Sequence, residues 1–121
     1  MSELHIIVHE DAVKAYANIG SGAAKQALDE IERIKTSQKY LGIPSHHEPK
    51  ELHPDMPLPT DDLQVFVSGG YRDTCCLQQL FALREAGYKA KFHPIASCPG
   101  RGRLPSTMLR EIETKYPDLY D

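Results

Sequence analysis

Five prolines (Pro44, Pro49, Pro54, Pro57 and Pro59) fall between residues 44 and 62. No helix or interior strand tolerates that density, because each proline lacks an amide donor and fixes its own φ. The same stretch carries His46, His47 and His53. It reads as a long ordered loop or a mobile lid, a kind of segment that tends to carry function. Regular structure therefore has to be built from the two flanking halves, and 121 residues suffice for one domain over 1–121 and no more.

Both halves alternate strand and helix patterns. Residues 4–9, Leu-His-Ile-Ile-Val-His, form a short strand, and 11–18 a helical or irregular entry holding Val13 and Tyr16. Gly20 and Gly22 interrupt it, each costing a continuous helix about 1 kcal/mol relative to alanine. A helix follows from Ala23 to about Lys35, with Ala24, Leu28, Ile31 and Ile34 on one face and Ser21 as its N-cap. Tyr40 to Ile43 is a second short strand. Beyond the proline stretch, 63–68 is a strand, 69–74 a glycine-led turn, and 75–86 a helix stopped by Gly87. Leu77, Leu80, Phe81 and Leu83 make the buried stripe of that helix. Residues 89–93 alternate polar and apolar, as a strand near a sheet edge does. A last helix starts at Pro105, with Leu109, Ile112 and Tyr116 inward, and ends at Pro117. Strand and helix in alternation predict an α/β fold, a three-layer sandwich on a mostly parallel, Rossmann-like sheet.

Composition excludes several partners. Fourteen Lys and Arg against 17 Asp and Glu leave a net charge of −3, which offers no electrostatic ground for nucleic acid or an anionic membrane. The longest apolar run is four residues, Leu80 to Leu83, where a membrane helix needs about 20. No basic stretch followed by an apolar core opens the chain, so no targeting segment is expected. Cys75, Cys76 and Cys98 are an odd set with two adjacent, which suits a reducing cytoplasm better than a disulfide framework.

The chemistry concentrates between Val65 and Ala86. Ligands of open α/β sheets bind beyond the carboxyl ends of strands, and the turn after this strand is glycine-rich, which admits close backbone approach. Cys75 then falls in the first helical turn, where free amides and the helix dipole favour a thiolate. Equally, Cys75 and Cys76 can be small core residues, since free cysteine is among the most buried types; Cys76 points toward Leu80 and Leu83 and reads as core.

The run Val67-Ser-Gly69-Gly-Tyr-Arg-Asp73-Thr-Cys75-Cys, followed by Gly87-Tyr88, resembles the isochorismatase-like cysteine hydrolases, a family that includes nicotinamidases. Their pattern is a strand, G-x-x-T-D-x-C-V, a helix and G-Y-x-V. Gly69, Asp73, Cys75, Gly87 and Tyr88 match without gaps, while Arg72 replaces the Thr and Cys76 the Val. Ile95-Ala96-Ser97-Cys98 also resembles the segment after the next strand of that family. The resemblance covers residues 63–98 and implies a cysteine nucleophile, an aspartate base after the first strand, and a lysine.

On that resemblance Cys75 is the nucleophile. Asp11 is the base, lying five residues before an aromatic, Tyr16, as the family's first-strand motif has it; Glu10 is the alternative carboxylate, and an N-cap or turn role is the plain reading of Asp11. Lys50 takes the lysine role as the only lysine between Lys39 and Cys75. Gly70 and Tyr71, with a cis peptide implied in this region, and the Cys75 amide would form the oxyanion hole.

Arg101 and Arg103, on a glycine-bearing loop after the last strand, form a pair able to clamp a carboxylate or phosphate, or else a solvated loop facing the acidic tail. Gly20 to Lys25 resembles a helix-start anion cradle without the G-K-[ST] of a P-loop. The three histidines match no strong zinc spacing, and neither metal nor other cofactor is expected. Two functions follow. One is hydrolysis of a C–N bond in a small-molecule amide through Cys75, by a protein that self-associates as a homo-oligomer, a dimer. The alternative is a non-catalytic small α/β binding domain or a cysteine-based sulfur carrier.

Overall fold

The computed structural model describes residues 2–71 and 75–98, together with Arg110 and Thr114. In chain order the elements are β1 (Ser2–Val8), α1 (Glu10–Asn18), α2 (Gly22–Ser37), β2 (Tyr40–Ile43), β3 (Leu63–Gly70), α3 (Cys75–Glu85) and β4 (Lys89–Cys98). The four strands make one sheet in the order β2-β1-β3-β4, and every pairing is parallel. The last helix expected after Pro105 lies outside the described residues, apart from Arg110 and Thr114, which are helical and exposed.

Two apolar faces along β1 explain the layering. Leu4, Ile6 and Val8 pack with Val65, Val67, Leu77, Leu80 and Leu83 on the α3 side. Ile7 packs with Ile31 and Ile34 of α2 on the other. A strand buried on both faces has to be central, and β1 is. The expected three-layer arrangement is therefore the observed one.

Local chemistry sets the boundaries. Between α1 and α2 the chain turns at Gly20, with φ of 101°, and Ser21 caps α2 by accepting from the Ala24 amide at 3.1 Å. β3 continues through Gly69 and Gly70, two residues the sequence reading put in the turn. β4 runs to Cys98, past Pro94, because the ladder is irregular there, between the pairs Val67–Phe92 and Gly69–Ser97. Proline is admitted at such a bulge on an edge strand. The His93 ring nitrogen Nδ1 accepts from the Ile95 and Ala96 amides at 3.2 and 2.9 Å, satisfying donors that the bulge takes out of the ladder.

The proline-rich stretch contains no strand or helix. It is the β2-to-β3 crossover, and it lies on the α3 side, where Leu52 and Met56 pack against the main core. Gln79 of α3, fully buried, holds it by donating from Nε2 to the carbonyls of Pro49 at 2.8 Å and Glu51 at 3.1 Å. The Tyr88 hydroxyl donates to the Pro57 carbonyl, and Lys89 Nζ to that of Asp61 at 3.0 Å.

Candidate active site

The chain leaves β1 toward β2 over one face and reaches β3, on the other side of β1, over the opposite face. The carboxyl ends of β1 and β3 are thus the topological switch point of the sheet, where such folds bind ligands. Val8 and Gly69 are partners across that point. Gly69 has φ of 102°, and a Cβ there would lie 1.9 Å from the Val8 carbonyl oxygen. Only glycine permits this approach.

The Gly70–Tyr71 peptide is cis, in the region where the resemblance implies one. The Tyr71 hydroxyl donates to the Ala12 carbonyl at 3.1 Å, and its ring meets Tyr16 edge-on at 5.6 Å between centroids. Tyr71 thereby ties the end of β3 to the start of α1. Its own carbonyl accepts from the Cys76 amide at 3.0 Å, which seats the head of α3 beside β3.

The three cysteines differ in environment, and none forms a disulfide. Cys75 is the first residue of α3, half-buried, and packs against the core cluster containing Val8 and Ile43. Cys76 is fully buried, its thiol 3.5 Å from the Ser68 carbonyl. Cys98 is fully buried among Val13, Ala17, Ala24 and Ala27.

The remaining expected residues are divided between two places. Lys50 is exposed, on the crossover between Pro49 and Glu51, whose carbonyls are the two that Gln79 holds. Gln79 follows Cys75 by four residues, so both lie on one face of α3, and the crossover brings Lys50 to that face. Asp11 is exposed in the first turn of α1 and opens onto a cleft of about 310 Å³ lined also by Glu10, Lys35, Tyr40 and Pro44. Among the described residues no hydrogen bond or ion pair joins Asp11, Lys50 and Cys75. In that cleft Glu10 bonds Lys35 at 3.2 Å and Lys14 at 3.1 Å. Burial pushes the Glu10 carboxyl up, but the two ammonium groups outweigh it and hold it below the usual range. Glu10 in turn raises Lys35. Arg72, Asp73, Thr74, Arg101 and Arg103 lie outside the described residues.

Sequence reasoning passed over His9 and Gln79. His9 follows β1 with φ of 46° and ψ of 56°, a left-handed conformation that costs a non-glycine residue roughly 1–2 kcal/mol. Its Nε2 donates to the His47 carbonyl at 3.4 Å. Nothing in the spacing of residues 4–9 announces that turn. Gln79 was legible in principle, being a polar residue inside the apolar stripe of α3.

A second polar cluster lies on the α2 side. His5 is buried, stacked on Phe66 at 5.2 Å, and neither ring nitrogen has a hydrogen-bond partner among the described residues. Burial, reinforced by neighbouring His93, lowers its pKa. His93 is also lowered by burial, against the opposing carboxylates of Glu30 and Glu3. Among the described residues no three His, Cys, Asp or Glu side chains are grouped to hold a metal ion, and no helix is long and apolar enough to cross a membrane.

Scans against protein-family models, curated proteins and solved structures find no match to this chain.

Proposed function

We propose that the protein is a cysteine hydrolase that cleaves the C–N bond of a small amide, with Cys75 as nucleophile. The observation that carries the reading is the position of Cys75, a half-buried thiol on the first residue of α3, at the switch point of a parallel sheet. The first amides of a helix have no intrahelical acceptor and favour negative charge nearby. The sulfur attacks the amide carbon, and the Cys75 amide and the Gly70–Tyr71 backbone face the oxygen that gains charge. Collapse expels the amine and leaves a thioester, which water hydrolyses. Asp11 and Lys50 are the carboxylate and amine that the family resemblance assigns to this chemistry. Arg101 and Arg103 are assigned to substrate anchoring on their residue types alone.

The same reading takes the protein as a homo-oligomer, a dimer, in a reducing cytoplasmic compartment. Tyr40 on the four-residue edge strand β2 and the exposed side chains of Leu58 and Ile95 offer apolar contact surface. Light scattering at micromolar concentration is expected to exceed the 13.6 kDa monomer mass.

Ammonia release from a panel of small primary amides, nicotinamide included, tests the activity. Turnover that vanishes in Cys75→Ala supports the reading, and turnover retained in that variant ends it. The sulfur-carrier alternative needs only an accessible thiol. It predicts no amide turnover and a persulfide carried on Cys75.

A further inference from the structure

We propose that His93 is a proton-operated latch. Its ring closes the bulge of β4 while Nδ1 is bare, and so holds the end of that strand in register beside the end of β3. The inference stands apart from the reading of Cys75.

The ladder between β3 and β4 shows what has to be closed. Val67 and Gly69 are two residues apart on β3, while their partners Phe92 and Ser97 are five apart on β4. The extra chain bulges out, and its backbone groups leave the ladder. His93, the first residue of the bulge, supplies the replacement bonds. Its Nδ1 accepts from the Ile95 and Ala96 amides at 3.2 and 2.9 Å, and its carbonyl accepts from the Ser97 hydroxyl. Pro94 has no amide proton. Every amide donor from residue 94 to residue 96 is thus either absent or directed at one ring nitrogen.

A nitrogen that accepts needs its lone pair, so the neutral ring carries its proton on Nε2. A second proton, on Nδ1, would turn the acceptor into a donor facing two other donors, and both bonds would be lost together. The charged ring has a partner on its other side. Nε2 lies 3.8 Å from Glu30 Oε1 of α2, a residue that also pairs with Arg33 at 3.1 Å. From β1, Glu3 and His5 line the same cleft of about 330 Å³ as His93 and Pro94. The His5 and Phe66 rings stand 6.1 and 6.2 Å from that of His93, and Lys91 shares its face of β4. Burial keeps the second proton off at neutral pH, outweighing the pull of Glu30 and Glu3.

The latch acts on the residues beyond the bulge. Ser97 pairs with Gly69 and Cys98 with Gly70, while Gly69 meets Val8 on its other side. Release would uncouple 96–98 from β3 and leave the pairs up to Phe92 intact. The latched ring takes up a proton less readily than a freed histidine of ordinary value 6.5. Falling pH therefore favours release from about 6.5 down to the latched-state value, by up to roughly tenfold per pH unit.

Amide hydrogen exchange, followed residue by residue by NMR and normalised to an unstructured peptide at the same pH, tests this. Between about pH 7.5 and about pH 5.5, protection of the wild-type Ile95 and Ala96 amides is expected to fall about three- to tenfold. The Ile6 and Val67 amides in the middle of the sheet should stay within about twofold. His93→Asn keeps a side-chain acceptor for the amides that follow it and has no proton to gain. Its Ile95 and Ala96 protection should change by less than about twofold over that range. His93→Phe, with no acceptor, should show low protection at both pH values. Wild-type protection that does not respond to pH, or an equal fall in His93→Asn, overturns the latch. A fall shared by Ile6 and Val67 marks unfolding of the whole sheet and overturns it as well.

Discussion

Gly69 and Val8 meet across the β1–β3 ladder so closely that a Cβ on Gly69 would sit 1.9 Å from the Val8 carbonyl oxygen. The contact is with backbone, which cannot swing aside. Gly69→Ala is expected to cost more than about 3 kcal/mol, through overpacking and a positive φ that alanine resists. Gly42→Ala, where no atom lies within 4 Å of the added carbon, should move stability by less than about 0.5 kcal/mol. Urea unfolding of the pair checks both, and comparable midpoints would refute the account of Gly69.

Thiol exposure predicts the order of labelling. Cys75 is half-buried, whereas Cys76 and Cys98 are fully buried. Under native conditions iodoacetamide should modify Cys75 first, with Cys98 reached only on unfolding. Preferential native labelling of Cys98 contradicts the packing of the α1–α2 cluster around it.

Gln79 holds two carbonyls of the crossover with one side-chain amide. Gln79→Ala removes the donor to the Pro49 carbonyl, leaves the Glu51 carbonyl to the His47 ring alone, and opens a cavity, so about 2–4 kcal/mol of stability should be lost. Gln79→Glu is informative as well, because a carboxylate cannot donate to either carbonyl. Both variants should also raise protease sensitivity between Pro44 and Asp62, which limited proteolysis with peptide mapping measures.

The His5–His93 cluster makes stability depend on pH. Both folded-state values lie below the ordinary histidine value of 6.5, so the unfolded chain binds protons more readily as pH falls. Their contribution is complete above about 6.5 and declines as pH drops toward the folded-state values, by at most about 1.4 kcal/mol per pH unit for each group. Thermal melts between about pH 7.5 and 5 should show the decline. His5→Phe keeps an aromatic ring on Phe66, removes the unpartnered Nδ1 and gives up the 3.8 Å contact of Nε2 with the Glu3 carboxylate. It should flatten the slope and raise stability near neutral pH by about 1 kcal/mol; an unchanged slope counts against His5 as a source.

The fold was readable because its apolar residues keep strict period. Leu63, Val65 and Val67 alternate on β3, and Ala24, Ile31 and Ile34 repeat on α2, and all are buried. Element ends were less readable where glycine and proline have two meanings. Gly69 and Gly70 belong to β3 because they admit the backbone of β1 and the start of α1, and no local rule separates that from a turn. Pro94 remains inside β4 because the ladder is already irregular there. At the site, Cys75 was legible as a thiol at a helix start. Its surroundings were not, because they depend on a crossover whose path has no periodic signature.

That crossover is irregular chain where parallel strands are usually joined by a helix, and the difference bears on the unfolded ensemble as well as the folded one. A helix owes its order to bonds formed along its own length, so it surrenders all its backbone freedom on folding. The stretch from residue 44 to residue 62 has five rings already fixing φ before folding begins, each worth about 0.4–1 kcal/mol where the native angle suits it. Less conformational entropy remains to be lost when the segment docks, and a few point attachments suffice where a helix would need a continuous apolar stripe.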